Sequence, residues 1–219
     1  MQIISHFTIL AALLINSMLP INISKAQTFE GEITFVKETS IDTSYYSYKV
    51  KNNIIRIDEL NKNLKLVNYM IVDINKQKIY ALNPKRKIFT SLPVHPWDNN
   101  KDPDNYQVIK TQNYKTINGY LCYQWRVRNK KENTEVAFWV TNDQFSFFSD
   151  FLKIINRTEK SSTYYLKIPD TQGFFPMLSV ERSLLRDFRL KLSVMKIEKK
   201  NLDISLFQIP SDYKYFQKN

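Results

Sequence analysis

The sequence predicts a mainly β protein, built as a large curved antiparallel sheet with one or two helices packed on its concave face. Three observations point there. Apolar and polar side chains alternate with a period of two from Thr28 onward, as in half-buried strands. Short polar turns rich in Asn separate the strand-like runs, as tight antiparallel hairpins require. One segment, residues 143–156, switches to the helical period.

Residues 1–26 stand outside this pattern. Phe7 to Ile15 is apolar but for Thr8, apolar residues continue to Ile23, and Ser24-Lys25-Ala26 offers small residues at the −3 and −1 positions of a signal-peptidase site. A signal peptide cleaved after Ala26 is therefore expected, although no Lys or Arg precedes the apolar run. The alternative is a retained membrane span, which Asn16, Ser17, Pro20 and Asn22 interrupt. Residues 27–219 then form a single domain, long enough for a sizeable core. Cys122 is the only cysteine, so there is neither a lipidation site at the cleavage point nor an intramolecular disulfide. The expected product is periplasmic or secreted, soluble after cleavage, and not a lipoprotein. The formal charge of the chain is +11, and removing a segment with one Lys and no acid leaves +10. An exported protein does not ordinarily meet nucleic acid, so this charge points to an anionic membrane surface or acidic partners. Compositional drift is the other reading, since the Lys residues are spread evenly beside many Asn and Ile.

The elements follow in order. Phe29, Gly31, Ile33 and Phe35 point one way and Glu30, Glu32, Thr34 and Glu38 the other. Runs at Tyr45 to Val50 and Ile54 to Glu59 flank a turn at Lys51-Asn52-Asn53. Met70, Val72 and Ile74 face opposite to Tyr69 and Ile71; Asn75-Lys76-Gln77 turns, Ile79 to Leu82 returns, and Asn83-Pro84-Lys85-Arg86 turns again, which makes a meander. Both faces of the first strand are apolar, so each needs a cover. Tyr106 to Lys115, Asn118-Gly119 and Tyr120 to Asn129 form another hairpin, and Glu135 to Thr141 follows. Phe148, Phe151, Leu152 and Ile155 have i, i+3, i+4, i+7 spacing, with Thr141, Asn142 or Asp143 as caps. Glu159 to Lys167 forms a second, weaker helix. Strands resume after Gly173, and Phe188, Leu190, Leu192 and Val194 alternate with Arg189, Lys191, Ser193 and Met195. A curved sheet leaves an apolar concavity that one or two helices either fill or leave partly open to a ligand.

The run KNNIIRIDE followed by YMIVDINKQKIYALNPKRKIF resembles the LolA/LolB-like carriers of outer-membrane lipoproteins. Their pattern has a turn, a strand with an Arg, then a hairpin with an Asp at its tip and an aromatic on its return strand. The chain resembles more closely still a family of uncharacterised secreted domains, common in Bacteroidetes-type Gram-negative bacteria. These begin FEGEITF, carry TINGYLCYQWRV with FWVTND after it, and close with LDISLFQIPSDYK. The resemblance implies a half-barrel whose concave face is apolar and covered by helices. In the carriers that cavity shelters acyl chains, while the uncharacterised relatives give a fold and no activity; together with the apolar residues on both faces of residues 69–74, the half-barrel resemblance leads to the expectation of a non-catalytic periplasmic protein that binds or carries a hydrophobic ligand, a lipid or a lipidated partner. Arg56 matches the strand Arg, which in the carriers lies at the cavity and helps hold a lid helix closed. Ile55 and Ile57 alternate with Arg56, so an outward-facing Arg is the other reading. Asp73 matches the tip Asp and suits turn formation better than binding. Asn75 stands where the pattern has Gly, and the helix arrangement between the early strands is missing; both depart from cargo transfer.

The candidate ligand-binding residues are Arg56, Tyr69, Ile71 and Tyr80 from the first half and Phe148, Phe151, Leu152 and Ile155 from the helix. The alternative function is an envelope interaction or sensing domain with a filled core, whose outer sheet face contacts an outer-membrane or periplasmic protein. Catalysis has little support. His95 and Cys122 could imitate a Cys-His pair, but a strand Cys beside Leu121 and Tyr123 suits a buried small hydrophobe. The one His and one Cys of residues 27–219 cannot supply a usual zinc set, and Asp98, Asp102 and Asp104 lack the Gly and terminal Glu of a calcium loop. Gly31, Gly119 and Gly173 sit on a strand, in a hairpin turn and before a bend, so they make no phosphate cradle. No cofactor or metal is expected. The strand tyrosines are either cross-strand packing or a ladder for sugars.

Overall fold

The computed structural model describes residues 28–98 and 105–217. The expected leader, and Asp102 and Asp104 of the acidic loop, lie outside the described residues. Twelve strands form a single open sheet: β1 (Gly31–Thr39), β2 (Thr43–Lys51), β3 (Ile54–Leu60), β4 (Leu66–Asp73), β5 (Lys78–Asn83), β6 (Ile88–Leu92), β7 (Tyr106–Ile117), β8 (Tyr120–Asn129), β9 (Thr134–Asn142), β10 (Phe174–Arg182), β11 (Phe188–Lys199) and β12 (Lys214–Tyr215). Helices α1 (Phe147–Ile155) and α2 (Lys160–Tyr165) lie between β9 and β10. The spatial order is β12-β6-β5-β4-β3-β2-β1-β11-β10-β9-β8-β7. The sheet is therefore two meanders, β1 to β6 and β7 to β11, joined side by side along β1 and β11. Every pairing is antiparallel except that of β12 with β6. Register shifts in five of these ladders add local bending and twist, so the sheet curves around its helices.

The turns behave as their residues require. Asn52 and Asn53 have φ of 50° and 61°, Asn118 and Gly119 of 51° and 82°. These are the left-handed conformations that make a two-residue hairpin loop fit the strand twist. Oδ1 of Asp73 accepts from the Lys76 backbone N–H at 2.9 Å, so this Asp closes the β4–β5 turn.

The first helix starts later than its sequence caps suggest. Thr141 and Asn142 are spent in β9, and Asp143 forms an ion pair with Lys199 at 2.6 Å. The backbone at 144–145 is tied to both neighbouring elements, Phe29 N–H donating to Gln144 O and Phe145 N–H to Gly173 O. The helix begins only after Ser146, which makes no side-chain cap bond. Its apolar face then packs on the inner face of the sheet, where Ile33, Ile55, Val72, Val127, Val136, Phe138 and Met177 are fully buried.

The second apolar face of β4 and β5 has its own cover. Tyr69, Ile71 and Leu82 form a separate cluster on the outer face with Ile54, Tyr80, Phe89, Ile209 and Tyr213. Residues 202–216 cross that face as a strap, through a 3₁₀ turn at Ile204–Phe207 and then β12. The Lys214 and Phe216 N–H groups donate to Lys87 O and Phe89 O at 2.9 and 2.7 Å. Lys87 and Asp212 pair at 2.8 Å. Elsewhere the outer face is held by charge: Lys49 bridges Glu32 and Asp58, and Arg126, Arg128 and Arg186 converge on buried Glu135. Burial alone would raise the Glu32 carboxyl, but Lys200, Ser47 and Lys49 outweigh it and hold the pKa at about 2.

Candidate functional site

Alternation along β1, β2 and β3 sends Phe35, Tyr46, Tyr48 and Ile57 to the inner face, directly beneath α1. Phe148, Phe151, Leu152 and Ile155 come down from the helix to meet them. The rings interlock: Phe35 meets Tyr48 edge-on at 4.6 Å, Tyr48 meets Phe151 edge-on at 5.4 Å, and Phe148 meets Phe175 at 4.6 Å. They do not close the space. A cleft of about 80 Å³ remains between helix and sheet. Beside it part of the inner face of β3 to β6 lies beyond the helices, and Met70, Ala81, Ile88 and Thr90, all half-buried, floor an open bay of about 490 Å³. Cleft and bay share Tyr46, Ile57 and Arg157, so they form one trough.

The polar groups are few. Lys37 is neutralised by Glu159 at 2.6 Å at the edge of the cleft. Burial pushes the Tyr48 hydroxyl up, so it stays a neutral phenol at any physiological pH. Ser161 of α2 lies in the cleft wall, 7% exposed, and its hydroxyl has no hydrogen-bond partner. Arg157, just past the end of α1, stands where cleft and bay meet, with Nη2 3.8 Å from Met70 Sδ. Chemically the trough can take an apolar chain by burial and dispersion and a polar end by hydrogen bonding. Among the described residues no three His, Cys, Asp or Glu side chains gather as a metal site would need.

The eight residues singled out from sequence fall into two groups on opposite faces. Phe148, Phe151, Leu152 and Ile155 line the cleft. Arg56, Tyr69, Ile71 and Tyr80 belong to the outer side, under or beside the strap. There Arg56 donates through Nη1 to Leu206 O at 3.1 Å and through Nε to Asp58 Oδ1 at 2.6 Å, with its guanidinium 3.9 Å over the Tyr69 ring. The backbone beside Tyr69 borders the bay, but the side chain turns away from it. Sequence reasoning missed Phe35, Tyr46, Tyr48 and Arg157. The strand alternation held a signal for the first three, since Ile33 and Phe35 share a face and oppose Tyr48 and Tyr46 in register. Arg157 carried none, because it follows a helix in a loop with no period. Cys122 is fully buried and burial raises its thiol pKa, while the His95 carbonyl accepts from Asn156 Nδ2 at 3.1 Å.

A family model described as a domain of unknown function, DUF4412, matches residues 29–213. The chain belongs to the DUF4412 family. A comparison with curated proteins gave no match. Among solved structures, this DUF4412 chain is similar to an uncharacterized conserved protein from Thermus thermophilus, at TM-score 0.50 and 9% identity, over 86% of this chain and 91% of that one. It is similar to a chain in the MucA/MucB complex of Pseudomonas aeruginosa, at TM-score 0.53 and 10% identity, over 84% of this chain and 56% of that one. The DUF4412 chain thus spans little more than half of that matched chain. A domain from Vibrio parahaemolyticus described as outer membrane lipoprotein-sorting aligns over 81% of this chain and 87% of its own, at TM-score 0.31 and 7% identity, too remote to carry an argument. At these identities the first two likenesses establish the fold alone. No helix of the described residues is long and apolar enough to cross a membrane.

Proposed function

We propose that this DUF4412 domain is a non-catalytic periplasmic protein that binds or carries a hydrophobic ligand, a lipid or a lipidated partner, in the trough beneath α1. The observation that carries this reading is the incomplete fill of the inner face: aromatic walls meet there without closing, and the space continues into the open apolar bay. The resemblance of its strand and hairpin sequence to the LolA/LolB-like carriers supports the same class of ligand. At about 80 Å³ the cleft is smaller than the 300–1,000 Å³ or so of ordinary ligand pockets. A full chain therefore enters only if α1 moves outward or if much of the chain lies in the bay. Native mass spectrometry of the protein purified from its own host tests the reading. Co-purifying acyl species support it, and a protein that emerges clean and takes up no fluorescent fatty acid overturns it.

The narrowness of the cleft favours one second reading, an interaction or sensing domain whose outer face contacts an outer-membrane or periplasmic protein. A chain of similar fold occurs in a two-protein complex, MucA/MucB. Recovery of one protein partner in pull-downs, with no ligand in the mass spectrum, would decide for it.

A further inference from the structure

The trough has an uneven distribution of charge. Of the two cations that border the cleft, Lys37 is matched by Glu159 at 2.6 Å. Arg157 is not matched: among the described residues no carboxylate lies within ion-pair distance of it, and the group its guanidinium meets is the thioether of Met70. Its position is as telling as its charge, since it touches both the aromatic cleft and the open bay. A guanidinium is a planar fork that pairs two oxygens of a carboxylate or a phosphate at once. Arg157 is exposed at the mouth of the trough, so solvent screens its charge, and its pairing with an anion sorts ligands more than it holds them. Glu59, opposite Tyr46 in the β2–β3 ladder, also lines the bay and repels an anion, so of the charged groups that line the bay Arg157 is the one that can hold it.

We infer that the trough selects an anionic single-chain amphiphile, with its acidic head on Arg157 and its chain running into the cleft alongside the touching rings of Phe151 and Tyr48. This rests on the binding reading above and adds the class of ligand and the residue that chooses it. Ser161 then acquires a role. Its hydroxyl, unpaired in the cleft wall, is a donor for any oxygen the chain carries beyond its head.

The test uses three probes of equal chain length, a fatty acid, an alkyl phosphate and the uncharged fatty alcohol, titrated into wild-type protein and into Arg157→Gln and Arg157→Lys. Arg157 is exposed, so its replacement leaves the core intact, which circular dichroism checks. The expected result is tenfold or more tighter binding of an acidic probe than of the alcohol, a preference that collapses toward one in Arg157→Gln and partly survives in Arg157→Lys. Whichever acid binds tighter identifies the head as carboxylate or phosphate. If acid and alcohol bind wild type equally, or if the preference persists in Arg157→Gln, the selection by Arg157 is wrong while the hydrophobic site stands. If none of the three binds, the site itself is wrong.

Discussion

Arg56→Met separates the strap from the body of the sheet. The substitution keeps most of the side chain's length over Tyr69 and removes the charge and the fork. Three contacts go with it: the bond to Leu206 O at 3.1 Å, the bond to Asp58 at 2.6 Å, and the stacking at 3.9 Å over Tyr69. A hydrogen bond from a charged donor contributes about 1.5–3 kcal/mol, and a cation over an aromatic ring about 0.5–2. Breaking a buried ion pair costs about 3–5 kcal/mol when the remaining charge is stranded, but Asp58 keeps Lys49, so that share stays well below the range. Only the Leu206 bond reaches the strap directly. Its loss should weaken strap docking by roughly 2 kcal/mol, a factor of about 30 in the opening equilibrium. Hydrogen exchange reads this site by site. The Lys214 and Phe216 amides, bonded to Lys87 O and Phe89 O, report strap opening, and the amides of Val136 and Phe138 in β9 report global unfolding. Strap amides should accelerate by about tenfold to a hundredfold more than those of β9. Equal acceleration at both places, or none in the strap, would refute the view that Arg56 clamps it.

Phe151→Ala should cost about 3 kcal/mol, the low end for a buried Phe because the adjoining cleft gives its neighbours room to relax, and should lower Tm by about 6–12 °C in calorimetry. A smaller loss joined to faster exchange of a fluorescent fatty acid would mark α1 as a lid. Gly31→Ala should abolish soluble expression or cost several kcal/mol, because a Cβ at φ +149° would sit 2.1 Å from Glu198 O on the seam with β11. Asn53→Ala, at φ 61°, should cost about 1 kcal/mol in urea denaturation, whereas Asn53→Gly should be near neutral. The depressed pKa of Glu32 stabilises the fold above its unfolded value near 4.5, and that stability disappears as pH falls toward about 2. Allowing for solvent screening, the acid limb from pH 5 to 2 should be about 1–2 kcal/mol shallower in Glu32→Gln than in wild type.

Much of the sheet was legible because its signals are local. Asn52-Asn53 and Asn118-Gly119 fix hairpins by backbone preference alone, and the alternation through Ile33 and Phe35 fixes which side chains share a face. The helix was legible by its stripe and misplaced at its start, since the residues that could cap it are held by β9 and Lys199. Which face of β4 looks inward was not legible. Tyr69 and Ile71 are as apolar as Met70 and Val72, and only the pairing of Val72 with Ile55 and Ile79 settles the matter. The strap had no period to read: it is a 3₁₀ turn, an extended stretch and a two-residue strand whose partners lie far back in the sequence. Half of the candidate residues accordingly belong to its interface and half to the cleft.

Among the described residues the strands of the two meanders pair only along β1 and β11, where Gly31 stands opposite Lys199 and Thr39 opposite Leu190. Apart from β9 and β10, which the helices separate, neighbouring strands within each meander are joined by short loops that close quickly, but this ladder joins residues 31–39 to residues 190–199 and carries the largest loop-closure entropy. It should form late in folding. Until it does, β1 and β11 are both bare edges, open to any strand that arrives first. Charges along the ladder discriminate among arrivals: Lys191 pairs with Glu38 at 2.8 Å, and Lys200 bridges Glu32 and Glu198 at 2.8 and 3.2 Å, contacts that a slipped register would lose. They cannot distinguish the chain's own β11 from a neighbour's. Protein concentration during refolding therefore decides between a monomer and a strand-exchanged dimer built from the same contacts.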